Sequence, residues 1–209
     1  MKHFLVYLLL LAGLLASCQR APVFTIDGVI SNAEEETLYL EHAALLKTTV
    51  IDSCILSSKG NFSFSVPAPQ YPDFYRLRIG NNSLLLAVDS TETITITTSR
   101  DSLATTLSIA GSTNSLTIAQ LRSFARNAPR EELREHAKQV IITNPRSLAA
   151  YYAVFFKQGG EYIWNMYDPA DRRMFQAVAT SFHTWMPDYE RSTALYAQVS
   201  NVLKAEREI

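Results

Sequence analysis

The chain has 209 residues, 47% of them hydrophobic and 19% charged, enough for one or two packed domains. Nineteen Lys and Arg against 20 Asp and Glu leave a net charge of −1, which excludes the strong field of a nucleic-acid binder or of a protein drawn to an anionic membrane face. The two cysteines, Cys18 and Cys54, exclude a disulfide-stapled scaffold.

Residues 1–17 carry a targeting signal. Lys2 and His3 precede an apolar run from Phe4 to Leu15, and Ala16-Ser17-Cys18 follow. Twelve residues of helix would reach roughly 18 Å, short of the roughly 30 Å hydrocarbon core, so the run reads as the apolar region of a signal peptide. Leu15-Ala16-Ser17-Cys18 resembles a bacterial lipobox. The resemblance implies cleavage before Cys18 and lipid attachment to it, so that the membrane is a partner through the lipid. Gln19-Arg20-Ala21 place no Asp after the cysteine, and the resemblance then implies the outer membrane, facing the periplasm. Ordinary secretory cleavage at Ala16 or Ser17 is the alternative. Residues 18–22 form a tether.

From 23 to 112 the pattern is β. Phe24, Ile26 and Ile30 alternate with polar residues, as do Leu38 and Leu40, Phe62 and Phe64, Tyr75 and Leu77, Leu84 and Leu86, and Ile94 and Ile96. Thr48 to Leu56 adds a further run, and Leu107 with Ile109 a last one. Period two marks half-buried strands. Turn residues separate them at Ser31-Asn32, Ser57 to Asn61, Pro67 to Pro72, Gly80 to Ser83 and Asp89-Ser90. Up to eight short strands with no gap long enough for a crossover helix predict an antiparallel sandwich or barrel.

After Gly111-Ser112 the apolar period becomes 3.6, and residues 113–209 predict a helical domain of about five short helices. Ser115 is a candidate cap for a helix carrying Leu121 and Phe124. Pro129 with Glu131 and Glu132 starts the next, which bears Leu133, Ala137, Val140 and Ile141. Asn144-Pro145 starts a third, through Leu148 and Tyr152, stopped by Gly159-Gly160. Asp168-Pro169-Ala170-Asp171 opens a fourth with Phe175, Val178, Ala179 and Phe182, broken at Pro187-Asp188. Leu195, Val199, Val202 and Leu203 predict the last. The fold class is therefore α+β, with the β domain first.

Few residues offer chemistry. No Cys-x-x-Cys, His-Glu-x-x-His, Gly-x-Ser-x-Gly or phosphate-binding loop occurs. No catalytic residue, metal site or cofactor is expected. Cys54 reads as a small buried hydrophobe, with a reactive thiol the lesser alternative. Glu34-Glu35-Glu36 reads as a solvated turn, Asp52 as an outward polar position and His136 as a solvated helix residue. The aromatic group Tyr162, Trp164, Tyr167 and Trp185 reads first as helix packing. Its alternative is a ligand-contact platform formed by Trp164, Tyr167 and Trp185.

Ile26-Asp27-Gly28, Leu38-Tyr39-Leu40, Val50-Ile51-Asp52-Ser53, Gly60-Asn61-Phe62-Ser63-Phe64, Phe74-Tyr75-Arg76-Leu77 and Ile109-Ala110-Gly111-Ser112 carry a family resemblance. Together they resemble the N-terminal accessory domain, itself of unknown function, of lipid-anchored thioredoxin-like disulfide reductases of the TlpA/ResA type. Asn144 to Tyr151, Tyr167-Asp168-Pro169 and Phe175 to Ser181 are similar to the helical part of the same proteins. The family's helical insert between Leu121 and Val140 is longer than this one. Its thioredoxin domain, with Trp-Cys-x-x-Cys, would begin after Leu203, and none of its catalytic residues has a counterpart here. The resemblance implies a non-catalytic accessory or binding module of a thiol-disulfide system, with an envelope protein as a partner. The alternatives are a truncated oxidoreductase, whose catalytic half lies past Ile209, and a periplasmic binder of a small ligand or glycan.

Overall fold

A computed structural model describes residues 21–208. Leu15, Ala16, Ser17 and Cys18 lie outside the described residues. Seven strands, β1 (Val23–Ser31), β2 (Thr37–Ala43), β3 (Thr48–Ile55), β4 (Asn61–Pro67), β5 (Asp73–Ile79), β6 (Asn82–Val88) and β7 (Thr93–Ser99), are followed by a 3-10 turn at Leu103–Thr105 and the short β8 (Ile109–Ala110). They form two four-stranded sheets, ordered β4-β1-β7-β8 and β3-β2-β5-β6. The expected alternation is what closes them into a sandwich. Phe24, Ile26, Leu38, Leu40, Phe64, Leu77, Leu84, Leu86, Ile94 and Ile96 all point inward and bury completely or nearly so.

The strand pairs are antiparallel with one exception: β1 and β7 run parallel, Ile26 opposite Ile94. No helix makes this crossover. The chain between the two strands visits the other sheet twice, as β2–β3 and as β5–β6, and comes back between the visits as β4 beside β1, so strands do what a crossover helix would do. Gly28 sits at that parallel seam with φ near 148°, and a Cβ there would lie 1.8 Å from the Ile96 carbonyl oxygen. Only glycine fits.

The helical half comprises α1 (Thr113–Phe124), α2 (Arg130–Thr143), α3 (Leu148–Val154), the hairpin β9 (Lys157–Gln158) and β10 (Glu161–Tyr162), α4 (Pro169–Trp185) and α5 (Glu190–Arg207). Helix starts differ from expectation in two places. Ser112, not Ser115, caps α1, accepting from the Ser115 N–H. Ser147, not Asn144, caps α3, accepting from the Ala150 N–H, while Asn144 to Ser147 form a preceding turn. In each case the residue used is the serine directly before the first helical residue, where its hydroxyl can reach the third N–H. Gly159-Gly160 does not stop a helix. Both residues have positive φ and make the turn of the β9–β10 hairpin. Asp168 caps α4 as expected, with Pro169 at its first position.

The helices bury a second core. Leu133, Ala137, Ile141, Phe175, Val178, Ala179, Phe182 and Leu195 fill it, as their spacing requires. That core also takes in Phe74 of β5 and Ala87 of β6, so the β3-β2-β5-β6 sheet is covered on both faces at this end. Polar groups complete the joint. Asp73, at the start of β5, accepts from Tyr189 Oη at 3.0 Å and Arg191 Nε at 3.0 Å, and meets His42 Nε2 at 2.7 Å. Arg191 also donates to the Ala43 carbonyl. On β6, the edge N–H of Ala87 donates to Ser115 Oγ at 2.9 Å, and its carbonyl accepts from Ser112 Oγ at 2.9 Å. The first turn of α1 thus covers an open sheet edge.

Two measurements test this joint. Asp73→Ala leaves the buried Arg191 without its carboxylate, and it is expected to lower unfolding free energy by about 3–5 kcal/mol in denaturant titration. Beside the α1 cap, burial first and the Asp89 charge next push the Glu92 carboxyl up to about 7, against a reference of 4.5, although bonds from Asp89 and Ser112 pull the other way. The folded state therefore holds a proton that the unfolded chain releases. Stability from this group is complete below about pH 4.5 and is lost as pH rises to about 7. Glu92→Gln is expected to remove that decline. The difference between the two proteins should grow by ~2 kcal/mol across the window, a figure reduced for partial exposure.

Candidate functional site

The chain between α3 and α4 positions most of the aromatic residues singled out by sequence. It leaves α3 at Phe155, turns through the β9–β10 hairpin and returns along Ile163 to Tyr167 before α4. Ile163 is pinned by its N–H to the Phe156 carbonyl. Trp164 is 6% exposed, and its indole N–H donates to the Ala153 carbonyl at 3.1 Å. The Arg134 guanidinium lies 4.4 Å from the Trp164 ring centre, covering one face. Arg134 is held in turn by Asp171, which also accepts from the Asn165 N–H at 2.9 Å. Burial alone would raise the Asp171 carboxyl, but Arg134 and the Asn165 N–H outweigh it and hold it below the usual carboxylate range. Asp171 therefore does more than favour the helix dipole: it orders the approach to α4.

A groove of about 790 Å³ opens beside this segment. Phe155, Phe175 and Met166 line it with Trp164, and Val202 and Ala205 of α5 complete its apolar side. Tyr162 and Tyr167, 50% and 75% exposed, stand along its border. Gln198 and Asn201 of α5 and Asn165 add amides, and Glu161 is its one carboxylate.

Of the three candidate aromatics, two meet here. Trp164 and Tyr167 line the groove, and Tyr162 joins them. Trp185 does not. It ends α4 away from the groove, 66% exposed, with Arg146 5.1 Å from its ring centre. The helical register decides this, because α4 carries Phe175 to the groove and Trp185 almost three turns further along. Packing and platform readings therefore divide by residue: Trp164 is mostly core, Tyr167 is largely exposed, and Tyr162 is half-exposed with the Lys157 ammonium over its ring. Gln198, Asn201, Val202 and Ala205 were not singled out by sequence. Their spacing of i, i+3, i+4, i+7 marks one stripe of α5, and that stripe is the signal that could have found them.

Other sequence candidates fall elsewhere. Asp52 is exposed on β3, and Glu34 and Glu35 lie at an exposed turn. His136 is exposed and stacks on Phe124 with ring centres 4.6 Å apart. Cys54 is half-buried, packed against the sandwich core, and burial followed by the Asp52 charge raises its thiol above the usual range. Among the described residues no group of three or more His, Cys, Asp or Glu side chains is placed to hold a metal ion.

Residues 24–115 match the family model described as a domain of unknown function (DUF4369). The match covers the sandwich from the second residue of β1 and ends in the first turn of α1, so it includes the Ser112 and Ser115 contacts to β6. No curated protein and no solved structure matches the chain.

The two tryptophans should report their different settings. In Trp185→Phe the remaining indole, Trp164, is expected to emit at shorter wavelength than the wild type and to resist acrylamide quenching. An easily quenched, long-wavelength emission from that variant would contradict the burial of Trp164.

Proposed function

We propose that the protein is a non-catalytic binding module of the bacterial cell envelope, tethered to the outer membrane through lipid on Cys18. The observation that carries the binding role is the groove beside α5, where two exposed tyrosines, an apolar floor and side-chain amides converge. Such a surface suits an uncharged ligand that offers apolar faces and hydrogen-bonding groups together, the chemistry of a short glycan. The tether is supported by Leu15-Ala16-Ser17-Cys18 and by the apolar run before it. The accessory role in a thioredoxin-like system is supported by the resemblance described above, whose β motifs fall within the matched residues 24–115.

Two experiments test the two halves of this reading. Cys18→Ser is expected to move the protein from the membrane to the soluble fraction and to abolish incorporation of labelled fatty acid. Unchanged membrane association would refute the lipid tether. In Trp185→Phe, titration with a β-1,4-linked N-acetylglucosamine oligomer is expected to shift Trp164 emission saturably. Adding Tyr167→Ala should weaken that binding about tenfold, equivalent to ~1.4 kcal/mol, without lowering thermal stability. A flat titration would count against the groove as a glycan site.

A further inference from the structure

A second concavity lies on the other side of the β9–β10 hairpin, and its electrostatics differ. About 710 Å³ in volume, it opens between the 3-10 turn of the sandwich and the end of α1. Tyr152, Phe155 and Phe156 supply an aromatic lining. Arg122, Arg126 and Lys157 supply three cations, and no carboxylate is among the lining residues.

The pairing of charges across the molecule makes this cleft unusual. Arg76 and Arg78 hold Glu41, Arg100 holds Glu36, Arg134 holds Asp171, Arg172 holds Glu206 and Arg191 holds Asp73. Those are all the other arginines among the described residues that are not exposed. Arg122 is half-buried too, yet among the described residues no carboxylate lies within salt-bridge reach of it. Its charge bears on the neighbouring Tyr152 hydroxyl, which offers a second donor. Arg126 spends one N–H on the Thr105 carbonyl at 3.4 Å. Lys157 has its ammonium 4.2 Å from the Tyr162 ring centre.

The end of α1 lies at this cleft, and its carbonyls are partly satisfied there. Carbonyls at a helix C-terminus normally present partial negative charge. Here Gln158 Nε2 donates to the Ala125 carbonyl at 3.1 Å and to the Ala128 carbonyl at 2.9 Å. The Ala125 carbonyl, which would oppose an anion, is thereby engaged by a side chain of the cleft itself.

We propose that this cleft is a binding site for a small organic anion, a carboxylate or phosphate carried on a flat apolar body. Arg122 is the main charge partner, Arg126 and Lys157 flank it, and the aromatic lining takes the apolar body. A guanidinium can meet either oxyanion with two parallel N–H bonds, which is why carboxylate and phosphate are one recognition chemistry here. The site adjoins the glycan groove, sharing Phe155 with it, but its charges are its own and the proposal does not rest on glycan binding.

The test is calorimetric titration of the purified chain with four probes: benzoate, benzyl phosphate, benzyl alcohol and inorganic phosphate. Benzoate and benzyl phosphate separate the two oxyanion classes. At least one of them is expected to bind, and its affinity should fall as salt is raised. Benzyl alcohol lacks the charge and inorganic phosphate lacks the apolar body, so each should bind roughly tenfold more weakly or worse. Arg122→Gln is expected to weaken the better probe about tenfold, and Lys157→Gln to do so by a smaller factor. Tyr167→Ala, in the other groove, should leave it unchanged. Circular dichroism and thermal melting confirm that each variant is folded. If neither aromatic anion binds at millimolar concentration, or if folded Arg122→Gln binds as well as the wild type, the proposal is overturned.

Discussion

Asp73 is the point on which the two halves of the molecule depend. One carboxylate at the start of β5 receives Tyr189 and Arg191 from the helical half and His42 from the neighbouring strand. Arg191 is 7% exposed, and its guanidinium also lies 5.0 Å from the Phe74 ring centre and 5.7 Å from that of Tyr151. A cation at that depth is tolerated only with a carboxylate beside it. Burial opposes its charge, but the groups around it restore it, and its proton is held more tightly than usual. The same surroundings push the Tyr189 hydroxyl far above its ordinary range, burial first and then the Asp73 charge, so that it remains a donor.

This joint ties the helical layer to a sheet that the sandwich has already ordered. Ser112 and Ser115 do the same for the β6 edge, with hydroxyls where another strand would otherwise pair. The aromatic series Phe74, Tyr151, Phe182 and Tyr189 runs from sheet to helices with neighbouring ring centres 5.4–6.3 Å apart. Both concavities lie beyond it, on either side of the β9–β10 hairpin. Phe155 lines each of them, and the hairpin divides a cleft with three cations from a groove with one carboxylate. The hairpin turns tightly at Gly159-Gly160, both with positive φ.

Much of this was legible in the sequence. Strand alternation from Phe24 to Ile96 predicts which residues enter the sandwich core, because period two leaves one face apolar. The Asp168-Pro169 start and the Phe175-Val178-Ala179-Phe182 stripe define α4 for the equivalent reason at period 3.6. Other features were illegible because they depend on distant partners. The parallel β1–β7 pair joins segments more than 60 residues apart, and local pattern carries no information on which strands become neighbours. Gly159-Gly160 breaks a helix or turns a hairpin equally well, and the Phe156 to Ile163 contact selects the hairpin. Trp164 and Trp185 look alike in sequence, yet only Trp164 lines the groove.

Sequence by itself determined the α+β class, the core faces of the strands and helices, the starts of α2 and α4 and the expectation of a lipid tether at Cys18. Each of these follows from local chemistry: side-chain period, capping groups, and an apolar run set beside a cysteine. Tertiary structure alone decided that the halves share the β5–β6 face, that Asp73 carries their joint, and that Tyr162, Trp164 and Tyr167 meet α5 in one groove. It also decided that Arg122 is left without a carboxylate while every other sheltered arginine among the described residues has one. Charge pairing and concavity are properties of residues brought together from far along the chain, and only packing specifies which ones meet.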